Sequence, residues 1–241
     1  MPDTAQRYFS SWESYWSTLT GAPDEVFWDA DPIYAAQQDL PRFAPFCEPR
    51  LPLLDLGCGN GTQTRFLAQY FASVIGVDIS PAALEVARVN NPAANIVYRV
   101  LDLLSPEDVA QLHAEIGDAN IYMRTVLHQL APQDQPVAAR GVTQLLGATG
   151  TLYLIELSAA AEAYFGELSE KYGLPPALAR VFQHKITPGM LHEGEMAALF
   201  PPEQFIVLNE GESAIWTTYQ TPEGVYAQVP AFYRVLRCRA E

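Results

Sequence analysis

The sequence predicts a doubly wound α/β fold: a mostly parallel sheet of seven strands, helices on both faces, and an antiparallel strand near one edge. Three observations predict it. Short apolar runs without strict alternation recur between residues 51 and 158, as strands buried on both faces require. Segments of helical periodicity separate them and read as crossovers. A glycine turn, G-x-G-x-G at Gly57, Gly59 and Gly61, joins the first run to the first helix of this region, where a ligand can approach the backbone closely.

The elements follow in order. Residues 1–47 read as an aromatic helical cover ahead of a main domain at 48–241. Tyr8, Trp12, Tyr15 and Trp16 fall at i, i+4, i+7 and i+8, so one helical face carries all four rings and must cover something. That face acts as a lid over the cleft, docks the helix on its neighbours, or does both. Pro41, Pro45, Pro49 and Pro52 limit helix there and mark a boundary near residue 48. Strands are expected at LPLLDLG, SVIGVDI, IVYRVLDLL, NIYMRTVL and TLYLIELS, with helices at 62–72, 81–89, 106–115 and 134–146. A mainly helical insertion at about 159–200 is broken at Pro175, Pro176, Pro188 and Gly189. QFIVLNE and FYRVLRCR close the sheet, the second as the antiparallel strand.

Composition narrows the function. At 241 residues and 49% apolar, the chain can bury one sizeable core. Lys+Arg 14 against Asp+Glu 28 gives a net charge of −14, which repels phosphate backbones and anionic lipid, so no nucleic acid and no membrane is expected as a partner. The three scattered cysteines fit a reducing cytoplasm. No apolar run approaches the ~20 residues of a membrane span, and the first residues lack an export pattern. Oligomeric state leaves no mark in the sequence.

Polar groups recur at successive strand ends. Asp78 ends VIGVD, about twenty residues past the glycine turn, where a carboxylate accepts ribose hydroxyls. Asp102 ends YRVLD on the same edge, beside the place for an adenine amine. Each also stands before a Ser-Pro helix start, so a turn or cap role competes. A nicotinamide dinucleotide fold would carry G-x-G-x-x-G, but Thr62 stands three beyond Gly59. Asp55, two before Gly57, is awkward beside a pyrophosphate and suits a cofactor carrying an ammonium and a sulfonium. The charge favours S-adenosylmethionine.

LDLGCGNG at 54–61, VIGVDIS at 74–80, the Asp102 position and NIYMRTVLHQL at 120–130 resemble the class I S-adenosylmethionine-dependent methyltransferases, whose fold is Rossmann-like. The resemblance covers about 48–158 well and the last two strands loosely. It implies that Asp55 lies near the cofactor's amino-acid end and that Gly57 and Gly59 allow close approach. It implies further that Asp78 binds ribose, Ile79 packs on adenine, Asp102 and Leu103 border the base, and the Arg124 backbone faces the methionine moiety.

Methyl transfer from a sulfonium is an in-line displacement, so positioning and exclusion of water are the protein's main tasks. A general base helps a hydroxyl or protonated amine acceptor, and His128, just beyond the fourth strand, is the leading candidate. His184 and His192 in the insertion and Glu156 at the fifth strand's end are weaker ones, and His113 reads as an exposed helix residue. No carboxylate cluster for a catalytic metal is evident at the strand ends. The fourth strand also lacks the Asn/Asp-Pro-Pro-aromatic segment of the enzymes that methylate amines of nucleic acids and proteins. A small molecule methylated on oxygen or nitrogen is the expected substrate, with carbon open. A nucleoside-binding regulatory protein of the same fold is the alternative. Asp78→Ala is expected to weaken cofactor affinity and spare the fold, on the premise that this carboxylate bonds to ligand rather than core.

Overall fold

The computed structural model describes residues 4–187, 189, 191 and 193–239. The strands are β1 (Leu53–Leu56), β2 (Val74–Asp78), β3 (Ile96–Val100), β4 (Asn120–Arg124), β5 (Thr151–Leu157), β6 (Phe205–Gln220) and β7 (Tyr226–Cys238). They form one sheet in the order β3-β2-β1-β4-β5-β7-β6. β1 to β5 run parallel, while β7 is antiparallel to both β5 and β6. The expected doubly wound sheet is present, with its antiparallel strand next to one edge.

Strand order reverses between β1 and β4, the place where an open parallel sheet forms a crevice at its carboxyl edge. Register makes that edge level. Leu56 is paired with Val77 on one side and Met123 on the other, and Asp78 with Val100. Gly57, Asp78, Leu101 and Arg124 are thereby brought to one rim.

Alternation along the strands divides the core. Leu54, Leu56, Ile121 and Met123 face α5 (Pro106–Ile116), α6 (Gln135–Leu146) and Met196 of α9 (Glu193–Leu199). Leu53, Val74, Tyr122 and Tyr153 face Phe43 of α2 (Ala36–Phe43) and Ala161 of α7 (Ala160–Tyr172). α4 (Pro81–Asn90) and α5 share a start signal: Ser80 and Ser105 accept N-cap hydrogen bonds from Ala83 N and Asp108 N, and proline follows each serine.

α1 (Thr4–Trp16) crosses the carboxyl edge and is pinned on both sides of it. Near its start, the Tyr8 hydroxyl donates to Asp134 Oδ2 at 2.7 Å and accepts from Ala131 N at 2.7 Å, beyond β4. One turn further on, Glu13 Oε2 accepts from Ser80 Oγ at 2.6 Å and Ala82 N at 3.1 Å, beyond β2. The 159–200 segment contributes α7, α8 (Pro176–Gln183) and α9; Val181 of α8 packs on Tyr15 and Trp16.

Several elements differ from the sequence reading, among them the last strand, which begins at Tyr226 rather than Phe232. The helix expected at 62–72 is α3, Thr62–Leu67, because Asn95 Nδ2 takes the Ala68 and Phe71 carbonyls at 2.8 and 2.9 Å and fixes a turn there. Pro41 lies inside α2, tolerated where burial of Ala36, Asp39 and Phe43 holds the helix against the sheet. The strand expected at QFIVLNE runs on to Gln220, its register with β7 shifting at Val207/Asn209 and Trp216/Gln220.

Candidate active site

The glycine turn has the backbone its sequence demands. Gly57, Gly59 and Gly61 have φ of 73°, 52° and 78°, a region side chains disfavour. A Cβ on Gly57 would meet Val126 at 2.7 Å, and one on Gly59 would meet the Trp16 indole at 2.9 Å. Asp78 ties this turn to β2: Oδ2 accepts from Gly59 N at 3.0 Å and Oδ1 from Ser80 N at 2.9 Å. Burial pushes its pKa up to about 6.

A cleft of about 880 Å³, partly open to solvent, lies over this edge. Gly57, Gly59, Asp78, Ile79, Asp102, Leu103 and Arg124 line it, as do Tyr8, Trp12 and Trp16 of α1. Ten of the residues singled out in the sequence thus share one cavity. Asp102 Oδ1 also accepts from Leu104 N at 2.8 Å, so it serves the turn while still bordering the cleft.

The others lie elsewhere. Asp55 sits behind the glycine turn, accepts from Thr64 Oγ1 at 2.5 Å and lines a smaller cavity; burial pushes its pKa up to about 7. Tyr15 is fully buried among Trp16, Ala83, Val181 and Ile186, so it docks the helix and does not line the cleft. His128 is a correction to the expected base. It is buried in the 3-10 turn Leu127–Gln129, where Nδ1 donates to Glu156 Oε2 at 2.6 Å and Nε2 accepts from Gln129 Nε2 at 2.8 Å. Both ring nitrogens are engaged, and the ring does not line the cleft. Glu156 also accepts from Val126 N and Leu127 N, so it too is withdrawn from the cleft. His184 Nδ1 pairs with Ser14 Oγ at 2.9 Å, and His113 is half-buried against Asp118. His192 lies outside the described residues.

Four further residues belong to the site without having stood out in the sequence. Trp28 and Thr125 line both cavities, Asp29 the smaller and Gln129 the larger. Asp29 Oδ2 accepts from Asn60 Nδ2 at 2.5 Å and Thr62 Oγ1 at 2.9 Å, bolting the N-terminal segment to the glycine turn. Thr125 has φ 59°, a strained value for a β-branched residue and a mark of functional turns. Trp28 and Asp29 lie within the aromatic N-terminal region and Thr125 and Gln129 within the segment at 120–130, signals that mark the stretch without singling out the residue. Among the described residues, no group of three or more His, Cys, Asp or Glu is placed to hold a metal ion, and no helix is long and apolar enough to cross a membrane.

A family model described as a methyltransferase domain matches residues 53–150. The crystal structure of an S-adenosylmethionine-dependent methyltransferase from Anabaena variabilis is 45% identical, with a TM-score of 0.92, over 96% of this chain and 95% of that one. The chain belongs to the S-adenosylmethionine-dependent methyltransferases. An uncharacterized methyltransferase of Synechocystis is 34% identical over 45% of this chain and 48% of its own length. A ubiquinone biosynthesis O-methyltransferase of Xanthomonas campestris is 30% identical over 57% and 59%. The first curated relatives are matched over 32% to 48% of their own lengths. An N-methyltransferase of Bradyrhizobium japonicum in complex with S-adenosyl-L-homocysteine shares the fold, at 15% identity and a TM-score of 0.60.

The methyltransferase's cofactor is S-adenosylmethionine, and the residues present fit it. Asp78 at the end of β2 and Asp102 just past β3 line the cleft together with aliphatic side chains and the glycines of the turn. In the adjoining cavity, half-buried Asp29 and buried Asp55 share the lining with a guanidinium whose Nη2 has no partner within the protein. That donor set matches a zwitterion.

Proposed function

We propose that this enzyme methylates an oxygen or nitrogen of a small molecule bound under α1. The observation that carries this reading is that Tyr8, Trp12, Trp16 and Trp28 line the same cleft as Asp78 and Asp102. Rings in that position exclude water and bury a planar or apolar acceptor. The acidic net charge supports a small acceptor over nucleic acid or an anionic membrane. The similar Xanthomonas protein is named as an O-methyltransferase, which supports oxygen as one such atom.

The cofactor supplies a methyl group already activated on a sulfonium. The chain's residues then have three tasks. Asp78 holds ribose and Asp102 borders the base, fixing the donor end. The strained Thr125 turn lines the cleft with Val126 and Leu130, and these residues help hold an acceptor atom in line. Gln129, anchored through His128 to Glu156, adds a polar side chain to the cleft lining. No histidine is needed as base where water or the acceptor's own acidity disposes of the proton.

Calorimetry with S-adenosylhomocysteine, followed by labelled-methyl transfer to a panel of hydroxylated and aminated metabolites, tests the proposal. Transfer to a small acceptor is expected. Cofactor binding with label appearing only in protein or nucleic acid would refute the small-molecule assignment.

A further inference from the structure

We infer that Asp39, a buried carboxylate on α2, is a positioning residue for the cofactor: it holds the Arg124 guanidinium so that one nitrogen remains to bind the cofactor's carboxylate. The inference rests on the cofactor placement above and adds two side chains to it. Asp39 is 2% exposed and accepts from Arg124 Nη1 at 3.2 Å, Tyr122 OH at 2.8 Å, Tyr153 OH at 2.5 Å and Arg42 Nη1 at 3.3 Å. Arg42 is fixed in turn by Ser213 Oγ at 2.8 Å and by the Tyr233 ring, 4.4 Å away. One carboxylate therefore sits between two guanidinium groups and fixes the orientation of both.

Held in this way, Arg124 keeps one donor unused. The Arg124 side chain is only 9% exposed, and its Nη2 is buried with no hydrogen-bond partner. Buried guanidinium nitrogens are ordinarily satisfied, so a lone one marks a missing ligand. Arg124 lines both cavities, and the two adjoin through Gly57, Gly59 and Thr125. A ligand whose ribose lies at Asp78 therefore has its remaining arm at the smaller cavity. There the guanidinium can take a carboxylate, and Asp29 and Asp55 can take an ammonium. Tyr122 and Tyr153, stacked at 5.5 Å and 7°, keep Asp39 from turning away. The geometry makes Asp39 a brace and Arg124 the contact.

The test compares S-adenosylmethionine with its decarboxylated form, S-adenosyl-3-methylthiopropylamine, by calorimetry on wild type, Asp39→Asn and Arg124→Met. Wild type is expected to prefer the carboxylated form at least tenfold. Both variants should lose most of that preference while binding the decarboxylated form within about threefold of wild type. Equal affinities in wild type, or an Asp39→Asn variant that weakens both ligands alike, would overturn the inference. Wild type binding neither ligand would instead overturn the cofactor placement itself. Should Asp39→Asn fail to fold, wild type and Arg124→Lys decide, because a lysine keeps the charge without the fork and should retain only part of the preference.

Discussion

Asp78 accepts a hydrogen bond from the Gly59 amide at 3.0 Å, so the residue expected to hold the ribose also braces the turn beneath it. This changes the expected behaviour of Asp78→Ala. The sequence reading has the carboxylate serving ligand alone, but Gly59 N and Ser80 N both depend on it. A charge-assisted bond contributes about 1.5–3 kcal/mol. Asp78→Ala should therefore weaken S-adenosylhomocysteine binding about 10- to 100-fold and also lower the melting temperature by several degrees. Calorimetry and thermal melts check the two effects separately, and a variant with wild-type affinity would remove Asp78 from the site.

The unliganded enzyme should lose stability as pH rises through the 6 to 7 range. Burial raises Asp78 to about 6 and Asp55 to about 7, both above ordinary aspartate. A raised folded-state pKa means the native protein binds more protons than the unfolded chain. That stability is present in full below about pH 4 and lost as pH climbs through the folded values. An ammonium at Asp55 and ribose hydroxyls donating to Asp78 both favour the ionised forms, so ligand affinity should move the other way and tighten over the same window. Thermal melts from pH 5 to 8, with and without S-adenosylhomocysteine, give both slopes. Asp55→Asn should flatten the unliganded one.

Much of this site is legible in the sequence because a buried parallel strand advertises itself. The run VIGVD places Asp78 at the end of buried β2, whereas Asp102 lies two residues past β3, an edge strand with Val97 and Val100 exposed, and reaches the cleft through the turn that follows. The residues that are not legible depend on distant partners. Asp29 owes its place to Asn60 and Thr62, and Asp39 to Tyr122, Arg124 and Tyr153; neither spacing has a period to read. His128 and Glu156 stand near one edge in sequence terms, but pattern alone does not say whether each faces the cleft or the other. Thr125 carries no sequence signal for its positive φ at all.

Helix α1 should govern exchange of the cofactor. Its anchors are separable: Tyr8 OH on Asp134 and Ala131, Glu13 on Ser80 and Ala82. Tyr8→Phe removes one anchor at a stability cost of about 0.5–1.5 kcal/mol. It should speed S-adenosylhomocysteine release several-fold, read as tryptophan fluorescence in stopped flow. Tyr15→Ala instead opens a hole in fully buried packing and should cost about 3–5 kcal/mol. Release at the wild-type rate in Tyr8→Phe would show that the helix does not gate the cleft.

His128→Ala separates a structural histidine from a catalytic one. Its ring bridges Glu156 and Gln129 away from the cleft, and Glu156 keeps its contacts to Val126 N and Leu127 N when the ring is lost. The expected cost is about 1–3 kcal/mol of stability from the broken buried bonds. S-adenosylhomocysteine should bind within about threefold of wild type, because the ribose, base and glycine contacts are untouched. Turnover on an acceptor found by labelled transfer should fall modestly, through KM more than kcat, as Gln129 loses its orientation. A base would behave otherwise: kcat would drop by about 100-fold or more with KM unchanged, and that result would return His128 to the chemistry.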